Sequence, residues 1–179
     1  MRWRTARVLE SSQMPKYHLA QINIGRMKGP LDSPVMAGFV ARLEEINAVA
    51  DRSPGFVWRL QTAEGDATYL RPYDDDRIIV NMSVWESVET FRDYVYRSAH
   101  AEVLRQRRDW FEHFNGMAIA MWWVPVGHTP GVDEAKKRLA HLEEHGPSQF
   151  AFGFKSILPP DPEYIDNFDW STFEPCRAA

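Results

Sequence analysis

The chain has a single cysteine, Cys176, among 179 residues. One thiol excludes an internal disulfide framework and any cysteine-held metal cluster. Long apolar runs are missing as well, and no stretch approaches the roughly 20 residues of a membrane span. The first residues carry Arg2, Arg4 and Arg7 without the apolar core of a signal peptide, so a cytoplasmic protein is expected. Positive charge is not in excess: the net charge is -4 and the pI about 5.9, which argues against a nucleic-acid partner. No internal repeat, low-complexity segment, phosphate loop, nucleophile elbow or dinucleotide fingerprint is found. Aromatic side chains, in contrast, are plentiful. Seven tryptophans and ten phenylalanines in a chain of this length describe one folded core with large flat surfaces to bury or to offer.

Residues 1–16 show no period and read as a flexible arm. YHLAQINIG, residues 17–25, alternates as a strand, with His18, Ala20, Ile22 and Ile24 opposite Tyr17, Leu19, Gln21 and Asn23. Ser33 before Pro34 reads as an N-cap, and Met36, Phe39, Val40, Leu43, Ile46 and Ala50 continue at helical spacing until Ser53-Pro54-Gly55. FVWRLQT (56–62) is a second strand, with Phe56, Trp58 and Leu60 on one side. RIIVNMSVW (77–85) is a third, a second helix follows with a break near Arg97-Ser98, and MAIAMWWVPV (117–126) is apolar on both sides, as a covered strand should be. The order β-α-β-β-α-β predicts an α+β, ferredoxin-like antiparallel sheet with both helices on one side. A further helix over 132–145 ends at Gly146-Pro147, and FAFGFK (150–155) offers a fifth short strand. The globular domain is therefore 17–156, and 157–179 reads as an irregular tail whose removal should cost little.

Only one face of this sheet is uniformly apolar. The other mixes Gln21, Asn23, Arg59, Gln61, Asn81 and Ser83 with Leu19, Val57, Ile79 and Trp85. Such a mixture suits a pocket or a wet subunit interface, and leaving its apolar members exposed argues for a homodimer. The second helix is also unusual. On a continuous helical arc, Val95, Ala99, Val103, Leu104 and Trp110 share one side with His100 and Arg107. A neutral His100 suits a general base, and Arg107 a fixed donor to an anionic oxygen. Either residue also has a purely architectural use, His100 as a hydrogen-bonded core-edge histidine and Arg107 as an ion-pair partner. HLEEH (141–145) has a zinc-protease spacing, but both histidines lie off the apolar stripe in the last turn and no third ligand is evident, so no metal is expected. Asp74, Asp75 and Asp76 read as a solvated turn.

Several segments in order carry a resemblance: LAQINIGR (19–26), NMSVWES (81–87), YRSAHAEVLRQRRDWF (96–111), MWWVPVGHTP (121–130) and EAKKRLAHLEEHGPSQFAFGFK (134–155). Together they resemble the domain of unknown function 3291 family. That resemblance covers about residues 17–155 and implies the dimeric α/β-barrel superfamily, alongside the antibiotic-biosynthesis monooxygenases. It implies a homodimer, with a pocket between sheet and helices in each protomer. Trp85-Glu86-Ser87, Phe91 and Ala99-His100 are also similar to haem-degrading monooxygenases of that superfamily, which would make His100 an iron ligand beside Asn23 and Tyr94. The tryptophan-to-histidine spacing is shorter here, and tyrosine stands in place of the aromatic tryptophan.

The expected function is a monooxygenase-like, small-molecule enzyme acting on an aromatic or polyketide-like substrate. His100, Arg107 and Asn23 would be catalytic. Gln21, Tyr94, Tyr96, Asn81, Ser83, Trp85, Trp58 and Trp123 would bind substrate. No cofactor is expected, with haem as the alternative. A dehydratase, isomerase or cyclase using the same acid–base residues is the rival enzyme, and a carrier of haem or another flat ligand the rival non-enzyme.

Overall fold

The computed structural model of the chain describes residues 16–62 and 65–174. The arm expected before Lys16, and Cys176, lie outside these residues. Four strands form one antiparallel sheet in the order β2-β3-β1-β4: β1 (Tyr17–Arg26), β2 (Phe56–Arg59), β3 (Ile78–Trp85) and β4 (Ile119–Pro125). β1 is central, with Leu19 opposite Trp85 and Trp123, Gln21 opposite Ser83 and Met121, and Asn23 opposite Asn81 and Ile119. This is the expected ferredoxin-like arrangement. Among the described residues, no helix is long and apolar enough to cross a membrane.

The first expected helix is divided, and the second breaks at Arg97-Ser98 as expected. The first consists of α1 (Ala37–Val40) and α2 (Leu43–Asp51). Ser33 does not cap it, because its hydroxyl donates to the carbonyl of Pro30 and the first turn begins later, at Met36. The second consists of α3 (Val88–Arg97) and α4 (His100–Trp110). α3 starts from a reciprocal cap in which Ser87 accepts from the amide of Thr90 and Thr90 accepts from that of Ser87. It ends at Ser98, whose hydroxyl donates to the carbonyl of Tyr94 (2.5 Å) and accepts from the amide of His100 (3.1 Å). A serine that binds backbone on both sides offers the chain an alternative to another helical turn.

The two sheet faces are covered in the reverse of the expected manner. α3 lies on the mixed face, where Val88, Phe91 and Val95 pack with Tyr17, Leu19, Trp85 and Met121. Farther along that face Met27, Met36 and Trp110 form a smaller cluster with Phe39 and Phe111. Gly25 permits this approach, since a Cβ there would stand 2.9 Å from the Phe111 ring. The uniformly apolar face, including Ile22, Met82 and Trp122, is closed instead by α5 (Val132–His145) through Ala135, Leu139 and Leu142. The mixed face can take a helix because Gln21 and Ser83 hydrogen-bond to each other, which removes most of the cost of burying them. Leu19 and Trp85 are fully buried by their own chain, so they are not the exposed patch from which a homodimer was argued.

Three local readings are corrected. A bulge between Phe56 and Trp58 puts Phe56 opposite Trp85 and Trp58 opposite Val84, so these two rings lie on different faces. The fifth strand reduces to a single bridge between Met121 and Phe152. In the stretch read as an irregular tail, α6 (Pro162–Asn167) buries Ile165 to 1% exposure, and a 3-10 turn follows over Trp170–Thr172.

Candidate active site

Trp85, at the end of β3, anchors a ladder of rings on the mixed face. Phe56 meets it edge-on at 5.4 Å, and Tyr94 stacks on it at 4.9 Å with 27° between planes. Phe91 and Tyr94 reach the same indole because residues three apart share a helix face. The turn at Ser98 then brings His100 back against Tyr94, 4.7 Å between ring centres. His100 Nδ1 lies 3.3 Å from the carbonyl of Val95. Burial lowers the His100 pKa from its ordinary value, against a smaller opposing effect of the Val95 carbonyl, so the ring is neutral at pH 7. Burial also raises the Tyr94 phenol well above its ordinary range, opposed by the positive charge of Arg59.

Beside the ladder runs a polar line across the sheet. Gln21, 1% exposed, donates from Nε2 to Ser83 Oγ (2.8 Å) and Asn81 Oδ1 (3.0 Å). Trp85 Nε1 donates to the same Ser83 oxygen at 2.8 Å. Gln21 Oε1 is buried and has no hydrogen-bond partner. Turning the amide over would let Ser83, and Asn81 with its own amide also turned, donate to the oxygen, but the NH2 would then be the orphan. One end of this buried amide is unpaired in either orientation, at a cost of about 1–3 kcal/mol unless a further group meets it. One rung beyond, Asn23 and Asn81 face each other across the ladder and are both exposed, so the polar line leads from the buried amide to solvent.

The structure thus gathers Gln21, Ser83, Asn81, Trp85, Tyr94 and His100, with Asn23 at the open end. It does not gather the others. Arg107 is exposed, because the break at Ser98 rotates α4 away from the continuous arc on which an inward orientation was predicted. Tyr96 is 53% exposed and meets Phe154 edge-on. Trp58 packs on the α5 face. Trp123 shares the mixed face but is tied elsewhere, donating from Nε1 to the carbonyl of Leu158 at 2.8 Å. Arg59, read only as part of a polar face, pairs with Asp51 at 2.8 Å and stands opposite Ser83. Its influence on Tyr94 joins this ion pair to the ladder. The His141 and His145 rings lie 4.7 Å apart, yet no group of three metal-ligating side chains occurs among the described residues.

For haem, the Val95 contact of Nδ1 suits a histidine that ligates through Nε2, and with one face of the ring packed on Tyr94 a flat group would approach from the Nε2 edge. A cavity of about 610 Å³ lies between α2 and the segment around Thr68, with Asp51 and Arg59 in its wall. A groove of about 460 Å³ lies beside Val88, Trp123 and Leu158. Neither includes His100.

Over residues 18–166 the sequence matches the family described as Domain of unknown function (DUF3291). The chain belongs to that family. No curated protein matches it. Among solved structures, this DUF3291 protein is similar to SnoaB, a cofactor-independent oxygenase from Streptomyces nogalater. Identity is 20%, the match covers 63% of this chain and 95% of that one, and the TM-score is 0.42. A second is the NE2512 protein of unknown function from Nitrosomonas europaea, at 8% identity over 65% of this chain and 96% of that one, with a TM-score of 0.43. Likeness at this level says nothing about a shared reaction.

Proposed function

We propose that this DUF3291 protein is a small-molecule enzyme that oxygenates an aromatic or polyketide-like substrate without a cofactor, at the ladder of Trp85, Tyr94 and His100. The observation that carries this reading is the buried Gln21 amide with one end unpaired, joined through Ser83, Trp85 and Tyr94 to a neutral, half-buried histidine. A substrate oxygen or hydroxyl meeting that amide would remove its desolvation cost. Rings already stacked in the ladder offer an electron-rich planar molecule the contacts it prefers.

The chemistry needs few parts. A neutral imidazole takes a proton from an acidic C–H flanked by carbonyl or aryl groups. The resulting carbanion, its charge spread onto an oxygen that accepts from the Gln21 NH2 in its turned-over orientation, gives electrons to dioxygen and forms a C–O bond. Loss of water from the hydroperoxide leaves a ketone, so CH2 and O2 become C=O and H2O. Hydrogen-bond donors fixed in a buried site stabilise the oxyanion more than water would.

Oxygen-electrode measurements with a hydroxyanthrone test the proposal. Uptake of one O2 per quinone formed is expected, with kcat reduced at least tenfold in His100→Ala. Turnover of enolisable substrates without oxygen uptake would transfer the site to the rival dehydratase, isomerase or cyclase reading. Binding without any turnover would make the protein a carrier.

A further inference from the structure

We infer that a second ligand site, independent of the His100 ladder, lies on the α5 face around Arg138. It takes a planar aromatic carboxylate and is closed in this structure by the chain's own residues 168–173. Arg138 is fully buried, and its guanidinium is enclosed by five rings, Trp122, Phe150, Phe168, Trp170 and Phe173, at 4.5–5.7 Å. Its Nε donates to Glu134 (2.9 Å), which is itself fixed by Trp122 Nε1 (3.0 Å) and by His128 Nε2 (2.9 Å). Its Nη1 donates to the carbonyl of Phe150 at 2.6 Å. Burial lowers the Arg138 pKa, opposed by Glu134 and, less, by the Tyr164 phenol, and Nη2 has no hydrogen-bond partner of good geometry. A guanidinium placed solely to staple the fold would leave no buried donor unused, since an unpaired buried donor is costly.

The cover differs from its floor. Trp122, Phe150, Glu134 and Arg138 belong to β4, to α5 and to the turn after it, and hold one another without help from the tail. Phe168, Trp170 and Phe173 come from a segment whose backbone hydrogen bonds are internal, Trp170 to Phe168, Thr172 to Asp169 and Phe173 to Trp170. Trp170 Nε1 donates to the carbonyl of Ile165 in α6 (3.1 Å), a bond that breaks when 168–173 lifts. Beyond it, among the described residues, ring contacts fasten this segment to the rest, among them Trp170 on His128 at 4.6 Å and Phe173 under Lys137 at 5.2 Å. α6 is anchored separately by Ile165 and by Tyr17, whose hydroxyl donates to Asp166 (2.8 Å), so 168–173 can lift without it. An aryl carboxylate entering there would replace the tail rings with its own ring against the guanidinium, and its oxygen would accept from Nη2.

Calorimetric titration of the full chain with 2-naphthoate, and with neutral 2-naphthamide as control, tests this site. The Phe168→Ala/Trp170→Ala double variant, which loosens the cover, should bind naphthoate at least tenfold more tightly than the unchanged chain and at least tenfold more tightly than naphthamide. His100→Ala should leave that affinity as it was. Hydrogen exchange on naphthoate binding should rise in 168–173 and not in 162–167. Arg138→Lys in the loosened background should lose most of the gain. If that variant fails to fold, the naphthoate-to-naphthamide ratio decides. Equal affinity for the two probes, no gain in the loosened variant, or loss of binding in His100→Ala would each overturn the inference.

Discussion

Tyr94 and His100 sit on different helices, and their rings nevertheless meet at 4.7 Å because Ser98 separates α3 from α4. The serine hydroxyl bonds to both neighbours of the break, so it fixes the histidine relative to the phenol. Ser98→Ala removes both bonds and should cost about 1 kcal/mol, as loss of a capping hydroxyl does. As His100 becomes better solvated, its pKa should rise toward the ordinary value. NMR titration of the imidazole protons checks this, and an unchanged midpoint would show that the break does not depend on the hydroxyl.

His100 also gives stability a pH dependence of definite sign. Its pKa is lower in the folded chain than the ordinary 6.5, chiefly through burial. Above 6.5 the ring is neutral in both states and contributes nothing to the slope. Below 6.5 the unfolded chain binds the proton more readily, so stability falls as pH drops toward the folded pKa. His18, lowered mainly by burial as well, acts in the same direction. Urea unfolding at a series of pH values from 7.5 to about 5 should show this decline. His100→Gln should flatten it, leaving the part due to His18.

Gln21→Leu separates function from folding. The substitution removes the unpaired amide end, and Ser83 keeps its bond from Trp85. Stability should change by less than about 1 kcal/mol, because removing an unsatisfied buried group offsets the lost hydrogen bonds. Turnover of a hydroxyanthrone should fall at least tenfold. A large drop in Tm with unchanged turnover would make Gln21 a packing residue.

Sequence periodicity reads much of this fold, and its failures have local causes. Helix 132–145 is legible to the residue because Gly146, at φ 79°, ends it in a conformation other residues avoid. The break near Arg97-Ser98 is legible too, but its rotation is not, so an arc drawn straight through it turns Arg107 inward. Alternation in β2 fails for a similar reason, since a bulge shifts Phe56 to the Trp85 side without any mark in composition. The mixed polarity of Gln21, Ser83 and Trp85 did point to a site. What sequence could not supply was its cover: the pairing of Gln21 with Ser83 lets α3 lie there and leaves the apolar face to α5.

The tail should prove necessary. Deleting residues 160–179 was expected to cost little, but Ile165 and Phe173 are core residues and the Arg138 guanidinium lies beneath Phe168, Trp170 and Phe173. Loss of two large buried side chains costs about 2–5 kcal/mol each, and an uncovered ion pair adds to it. Truncation after Pro160 should lower Tm by at least 10 °C or abolish folding. A Tm equal to that of the full chain would show that the tail contacts contribute nothing.

The same coverage bears on the expected homodimer. Face-to-face pairing of two sheets needs an apolar face free of helices, and here Ile22, Met82 and Trp122 are closed by α5 while Leu19 and Trp85 are closed by α3. The exposed large apolar side chains, such as Val35, Val57, Tyr69 and Val126, come from separate elements and not from one sheet face. Scattered apolar residues of this kind are ordinary on a monomer surface. Light scattering at micromolar concentration should therefore give the monomer mass of 20.8 kDa. A stable dimer would require α5 to move off the sheet or another surface to pair.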